Sequence, residues 1–291
     1  MTSVIDLPSC SLDECSWLSS EHEAYEENDY RIALLRELAD EMYLNRGRRY
    51  STGDLHELAD KLEACNEEII ECKSLACKKC NRKFKIERVN DIVSAMKLEQ
   101  EHGFEFEYGI YTILQYSHCV SAYEFVNYDV PKDKDRVRQV LSRCGISGPV
   151  VGSFELDFHE QPQRWLPHYH LLIRKTGNED AISKLKSCMH KLHPKNIKKN
   201  RCARPFMEQK LNDPHKQLSY IYKLASFEVR DYKTHSGKRI THKHRLNKLL
   251  FCESLCWLDS KDRRLLPFQW HAREWIKQSK VYNTDSNFDL V

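Results

Sequence analysis

Apolar residues recur at helical spacing through most of the first 64 residues, and acidic residues fill many positions between them. The segment Ser51-Thr52-Gly53-Asp54 has the residue types that begin a helix, and Leu55, Leu58 and Leu62 continue an apolar stripe after it. The same spacing predicts further helices over residues 86–102, 132–144 and 179–193, and from Pro214 to Phe227.

Alternating apolar and polar residues predict strands in the middle of the chain. Aromatic and β-branched residues dominate the stretch from Phe104 to Tyr116, and a shorter strand is predicted over residues 203–211. From Pro149 to Phe158, apolar residues alternate with Glu155 and Asp157. Because successive side chains of a strand point to opposite faces, these two carboxylates should share one face.

The stretch from Trp165 to Ile173 is apolar except for two histidines placed two residues apart. In a strand His168 and His170 share a face, which suits a divalent metal. A short turn at 161–163 should pair this strand with the preceding one, so that the carboxylates approach the histidines. The alternative is a buried strand with two hydrogen-bonded histidines. The hairpin indicates an α+β fold with an antiparallel or mixed sheet.

Composition limits the class of protein. The 291 residues are 41% hydrophobic and 31% charged, as in soluble globular proteins. No apolar run approaches the roughly 20 residues of a membrane span. Because residues 1–10 lack the features of a secretory signal, we expect a cytoplasmic location.

Charge is distributed unevenly along the chain. Residues 1–60 carry 14 Asp and Glu against 5 Lys and Arg, whereas residues 184–248 carry 18 Lys and Arg against 4 Asp and Glu. A local excess of this size indicates a polyanion partner, with a solvated charged face as the alternative. The DNA-contact candidates in this region are Lys198, Lys199, Arg201 and Arg204.

Four cysteines lie close together just before the strand-rich region. Cys77 and Cys80 are separated by two residues, a spacing at which both thiolates can bind one tetrahedral Zn²⁺. Cys72 and Cys65 lie near enough to complete a four-sulfur site. A redox Cys-x-x-Cys pair and unrelated free cysteines are the alternatives, but a redox pair needs no additional cysteines.

The motifs resemble those of the HUH endonucleases, the superfamily of rolling-circle replication initiators, relaxases and related transposases. His168-Tyr169-His170 is similar to the His-hydrophobic-His motif, and Tyr220-x-x-Lys223 is similar to the Tyr-x-x-Lys motif of replication initiators. The segment 152–155 resembles the strand that supplies a third metal ligand in plasmid initiators. The cysteine spacing over 65–80 also resembles one initiator family, so the likeness covers about residues 104–235 and, more weakly, 65–80.

The resemblance implies a fold and a chemistry. It implies a central antiparallel sheet flanked by helices, with Mg²⁺ or Mn²⁺ held by His168, His170 and Glu155. Asp157 is the alternative carboxylate if the strand register differs, and His159 is a weaker candidate.

A nucleophile helix would cross this face of the sheet. Tyr220 would attack a phosphate of single-stranded DNA and form a 5′-phosphotyrosine. Lys223, one helical turn later, would lie on the same face and stabilise charge. Leu224 stands where a second tyrosine is often found, which favours a single-tyrosine enzyme, and Tyr222 should point away from Tyr220.

The expected role is that of a rolling-circle plasmid replication initiator. Single-stranded DNA and origin duplex DNA would be its ligands, and a host polymerase would extend the released 3′-hydroxyl. A helicase would also come from the host, because the sequence shows no Gly-rich phosphate loop. A transposase or conjugative relaxase would share the chemistry. From another class, a zinc-containing DNA-binding repressor would use the same histidines and tyrosine structurally.

The sequence predicts four regions. They are an acidic helical region over 1–64, a cysteine cluster with a helix over 65–103, the nuclease domain over 104–235, and a basic, aromatic accessory region over 236–291.

Overall fold

Eight strands in the described part of the chain form one curled, mixed sheet with helices around it. The structure is a computed structural model, and it describes residues 5–42, 49–193, 204–237 and 239–286. The strands are β1 (Tyr108–Leu114), β2 (Val120–Ser121), β3 (Val150–His159), β4 (Arg164–Arg174), β5 (Phe206–Lys210), β6 (Glu228–Lys233), β7 (Arg239–His244) and β8 (Pro267–Trp270). The helices are α1 (Glu21–Met42), α2 (Thr52–Asn66), α3 (Lys78–Glu101), α4 (Val130–Cys144), α5 (Glu179–Leu192), α6 (Pro214–Ile221), α7 (Lys248–Asp259) and α8 (Arg273–Ser286). The prediction of an α+β fold is confirmed.

Strands β3 and β4 lie at the centre of the sheet, whose order is β5-β1-β4-β3-β6-β7. The short strand β2 pairs with β4, and β8 pairs with β3. The pairings among the central strands β1, β4 and β3 are antiparallel, as expected. The parallel contact between β3 and β6 makes the sheet mixed. It arises because α5, β5 and α6 lie between β4 and β6 and return the chain to the end of β3.

Helix ends follow local chemistry in three places. Ser51 begins α2 with a capping box, in which its hydroxyl accepts from the Asp54 backbone N–H and Asp54 accepts from the Ser51 N–H. Gly145 ends α4 in the left-handed conformation, with φ of 81°. Helix α3 begins at Lys78, eight residues before the predicted start, and the sulfur of its N-cap, Cys77, accepts from the Cys80 N–H.

Helix α6 is shorter than predicted, because it ends at Ile221 and not at Phe227. The Ile221 carbonyl accepts a hydrogen bond from the Ser153 hydroxyl on β3 in place of an N–H one turn later. Leu224 then adopts a left-handed backbone, with φ of 44°. Both features stop the helix, and neither is visible in the apolar spacing.

The core extends across all four predicted regions. Buried apolar residues from Ile5 to Ile276 form one cluster. The predicted boundary at residue 236 lies between the paired strands β6 and β7, and β8 pairs with β3. Helices α1, α2 and α7 pack on one another, and α3 contacts α6 and α8. No helix in the described segments is both long and apolar enough to cross a membrane.

Candidate metal centre and nucleophile helix

The register of β3 and β4 brings one carboxylate and two imidazoles together. Glu155 pairs with His168, and Ser153 pairs with His170, so all three candidate ligands lie on one face of the hairpin. One ligand atom from each of Glu155, His168 and His170 lies within 4.8 Å of the others. All three residues are buried. The structure therefore brings together the three residues that the sequence singled out.

In each histidine, the Nδ1 atom has a partner that orients the ring. His168 Nδ1 lies 3.2 Å from the Leu166 carbonyl oxygen, and His170 Nδ1 lies 2.9 Å from the Thr112 hydroxyl. A neutral His168 that donates from Nδ1 turns the Nε2 lone pair toward Glu155 Oε2, 3.1 Å away. Two acceptors at that distance need a proton or a cation between them. This is the arrangement of metal-binding histidines, whose second nitrogen is usually held by a carbonyl, carboxylate or water.

Two further atoms of the centre have no hydrogen-bond partner among the described residues. They are His170 Nε2 and Glu155 Oε1, and both are buried. Buried polar atoms are rarely left unpaired in native proteins. A cation bound between them would satisfy both, so these residues fit a divalent metal of the Mg²⁺ or Mn²⁺ type.

Electrostatics keeps Glu155 ionised. Burial opposes its charge, but the Lys223 ammonium, which contacts Glu155 Oε2, holds the pKa of this carboxyl well below its usual range. Burial lowers the pKa of His170, and a neutral imidazole is the form that binds metal. An ionised carboxylate beside a neutral imidazole is the state in which both can donate electron pairs to a cation.

Asp157, the alternative carboxylate, has other partners. Its Oδ2 lies 2.7 Å from Lys243 Nζ and 3.7 Å from His168 Nε2, and its Oδ1 accepts from the Phe227 N–H at 2.9 Å. Burial opposes its ionisation, but His168 and Lys243 lower its pKa. Asp157 therefore lies beside the three-residue group without joining it. His159 is also outside the group, and burial lowers its pKa to about 4.

Tyr220 lies at the edge of this centre. It is 49% exposed, and its ring centroid is 5.4 Å from that of His170 in an edge-on contact. Tyr222 is 1% exposed and packs edge-on against Phe84, with 6.5 Å between ring centroids. Burial raises the pKa of Tyr222. Only the first of the two tyrosines is open to a ligand beside the histidines.

Lys223 reaches the centre by a route that differs from the predicted one. The expected helical turn between Tyr220 and Lys223 is wrong, because α6 ends at Ile221. The non-helical backbone after that residue still carries Lys223 Nζ to 4.4 Å from the Tyr220 ring centroid and into contact with Glu155. The ammonium therefore lies between the candidate nucleophile and a candidate metal ligand.

Lys243 is a residue of the site that sequence reasoning missed. It lies on β7, pairs with Asp157, and places Nζ 5.7 Å from the Tyr220 ring centroid. The predicted regions put it in a separate accessory segment. No local spacing signals its role, since β6 and β7 reach the centre only through pairing with β3.

The four predicted zinc ligands converge at the junction of α2 and α3. The Sγ–Sγ distances are 3.7 Å for Cys65 to Cys80 and for Cys65 to Cys77, and 3.6 Å for Cys72 to Cys80. Four thiolates at about 2.3 Å from one tetrahedral zinc lie about 3.8 Å apart. Hydrogen bonds from Cys72 and Cys80 lower the pKa of the Cys77 thiol, which favours its thiolate. This cluster could hold a metal such as zinc.

Three of the four DNA-contact candidates, Lys198, Lys199 and Arg201, lie outside the described residues. Arg204 is exposed just before β5. Their role in binding stays a prediction.

Comparisons of the chain with protein-family models, with curated proteins and with solved structures find no match.

Proposed function

We propose that the protein is a metal-dependent enzyme that nicks and rejoins single-stranded DNA through a covalent 5′-phosphotyrosine. One observation carries the proposal. An exposed tyrosine lies edge-on to a buried histidine of a Glu-His-His group, with a lysine between the tyrosine and the glutamate. A merely structural cluster does not require an exposed tyrosine at its rim.

In this proposal Tyr220 is the nucleophile. Its oxygen attacks the phosphorus of a backbone phosphate, a new P–O bond forms to the tyrosine, and the bond from phosphorus to the 3′ oxygen breaks. Tyr220 loses a proton and the departing 3′ oxygen gains one. Lys223 and Lys243 both lie within 6 Å of the Tyr220 ring, where positive charge stabilises a phenolate and the pentavalent transition state.

Glu155, His168 and His170 would hold the cation. A bound Mg²⁺ or Mn²⁺ supplies charge neutralisation and polarisation of the scissile phosphate. The strands position these ligands and their Nδ1 partners, so little reorganisation is needed when substrate binds. The Cys65, Cys72, Cys77 and Cys80 group would bind a structural zinc that ties α2 to α3.

The role best supported by the motif order is rolling-circle replication initiation, with a free 3′-hydroxyl left for a polymerase. Transposition or conjugative transfer would use the same chemistry on other DNA. A helicase would come from the host.

The test is covalent capture of DNA. The purified protein is incubated with Mn²⁺ and a randomised pool of single-stranded DNA that carries a 3′ label. A 5′-phosphotyrosine retains the 3′ fragment on the protein, so label should migrate with the protein after denaturation. Tyr220→Phe removes one hydroxyl, and the adduct should fall at least about a hundredfold.

Tyr222→Phe is the matched control, because it makes the same chemical change two residues away in the core. It should keep the adduct. An adduct on Tyr222 in the trapped peptide would contradict the assignment of the nucleophile. Metal-independent binding of DNA without any covalent product would favour the repressor.

A further inference from the structure

A second sulfur-containing cluster shares no residue with the four-cysteine group. Cys10 and Cys15, in the segment before α1, approach His215 at the start of α6, and one ligand atom of each lies within 4.8 Å of the others. The separation of Cys15 from His215 is 200 residues, so the fold and not the sequence brings them together. Nothing in the proposed DNA chemistry uses these residues.

The distance between Cys15 and His215 fits a shared metal. Cys15 Sγ lies 3.5 Å from His215 Nδ1. A thiolate and an imidazole nitrogen bound to one tetrahedral zinc, at about 2.3 and 2.05 Å, lie about 3.5 Å apart. A weak thiol hydrogen bond spans the same distance, so the distance alone does not distinguish it from a shared metal.

The burial of His215 favours the metal, because its side chain is only 3% exposed and needs a partner for the nitrogen that faces Cys15. Among the described residues, the Cys15 sulfur is the only hydrogen-bond partner of that nitrogen, Nδ1. A buried imidazole normally pairs with a carbonyl, a carboxylate or water. Sulfur is a weak hydrogen-bonding group but a strong zinc ligand. A metal at this position explains why the histidine is buried there.

The N-terminal segment is held in place independently of any metal. Three side chains of α3 bind its backbone: Asn90 Oδ1 accepts from the Leu12 N–H, Gln100 donates to the Ile5 carbonyl, and Arg82 donates to the Ser19 carbonyl. Helix α3 also contacts α6. The two cysteines are therefore presented to His215 by a segment that is already fixed on both sides.

We propose that Cys10, Cys15 and His215 form a second zinc site, which fastens the N-terminal segment to the helix that carries Tyr220. His215 is the second residue of α6, five residues before Tyr220. Three protein ligands leave a fourth position for water or for Asp213, the residue that caps α6 and whose charge acts on both Cys15 and His215. The proposal does not depend on the proposed DNA chemistry.

Cobalt substitution tests it on the full-length protein. Thiolate-to-cobalt charge transfer absorbs in the near ultraviolet, and the Glu155, His168 and His170 group contains no sulfur and adds nothing to it. In the wild type, six thiolates contribute to this absorption band if both cysteine sites bind cobalt. Cys10→Ser should lower this band by about a third and bound zinc from about two ions to about one, because a site left with one thiolate binds weakly. Cys10 is exposed, so this change should leave packing intact.

His215→Gln keeps both thiols and should cause the same loss of zinc. Cys119→Ser is the matched control, since Cys119 belongs to none of the candidate groups of the described residues, and it should keep the full band. Cys77→Ser/Cys80→Ser leaves the other cluster with two thiolates, so it should remove that zinc and about two thirds of the band. The proposal is overturned if Cys10→Ser and His215→Gln keep the wild-type zinc content, or if mass spectrometry of the native protein finds a Cys10–Cys15 disulfide.

Discussion

Two lysines neutralise Glu155 and the neighbouring Asp157, each from a different element. Lys223 contacts Glu155 from the segment after α6, and Lys243 contacts Asp157 from β7. Asp157 is fully buried, so its charge depends on these partners. The pKa of Lys243 is raised because, although burial opposes its charge, Asp157 and Glu155 outweigh that effect.

Lys243→Gln should destabilise the protein, because it leaves the Asp157 carboxylate without its cation. The Phe227 N–H still binds Asp157, and Lys243 is about one-third exposed, so we expect a loss of about 1–3 kcal/mol in the free energy of unfolding. Urea unfolding near neutral pH measures it. Lys233→Gln, on the paired strand and exposed, should change the free energy by less than about 0.5 kcal/mol. Equal effects of the two changes would mean that the ion pair adds nothing.

At the scale of elements, the β3–β4 hairpin positions all three candidate metal ligands. Its strands are tightly packed at Gly152, where an added Cβ would lie 2.0 Å from the His170 carbonyl oxygen. A side chain there would push β3 away from β4 at His170, the second histidine of the group. The glycine is thus required by the close approach of the two backbones.

Gly152→Ala should therefore disrupt the centre as well as the fold. We expect the free energy of unfolding to fall by about 1–3 kcal/mol, which thermal unfolding measures. We also expect weaker Mn²⁺ binding, which titration calorimetry measures. Gly53→Ala is the matched control. It lies in the first turn of α2 with only an ordinary contact to Ser51, so it should stabilise the protein by about 0.5–1 kcal/mol. Wild-type stability of Gly152→Ala would show that the strands can separate at no cost.

Local periodicity predicts those parts of the site whose residues are close in the chain. Glu155, His168 and His170 belong to one hairpin, so alternation and a short turn suffice to place them together. The end of α6 could not be predicted, because it depends on a bond between Ser153 and Ile221, 68 residues apart. The role of Lys243 and the contact between Cys15 and His215 could not be predicted for the same reason: only the tertiary fold brings each residue to its partner.

At the scale of the whole molecule, the acidic and basic parts of the chain bind each other. Arg245 donates to Glu27 at 3.0 and 2.7 Å, and Lys248 contacts Glu37 at 2.8 Å and Glu41 at 2.6 Å. Helix α1 therefore covers part of the basic segment that the charge pattern assigned to a polyanion. Some of the positive charge counted from the sequence is neutralised within the protein.

If the basic segment binds DNA, removing its internal partners should strengthen binding. The double variant Glu37→Gln/Glu41→Gln frees Lys248, and the slope of log affinity against log salt should steepen by up to about 0.7 for single-stranded DNA. Fluorescence anisotropy with labelled oligodeoxythymidylate over a salt series measures it. Stability should change by less than about 1 kcal/mol, because such pairs are solvent-exposed.

Glu101→Gln/Glu105→Gln serves as the control for net charge, since it removes the same two negative charges from exposed residues that have no ion pair in the described part of the structure. It should leave the slope unchanged. A steeper slope in this variant as well would trace the effect to overall charge and not to Lys248.

The short span of the β3–β4 hairpin has a consequence for the order of folding. Its candidate ligands lie within 16 consecutive residues, whereas the contact that ends α6 joins residues 68 apart. Contacts between near residues close quickly and long-range ones later. A newly made chain should therefore form the hairpin that carries the candidate metal ligands before the tyrosine helix docks. Under the proposed function, a chain caught midway would bind metal but could not yet cut DNA.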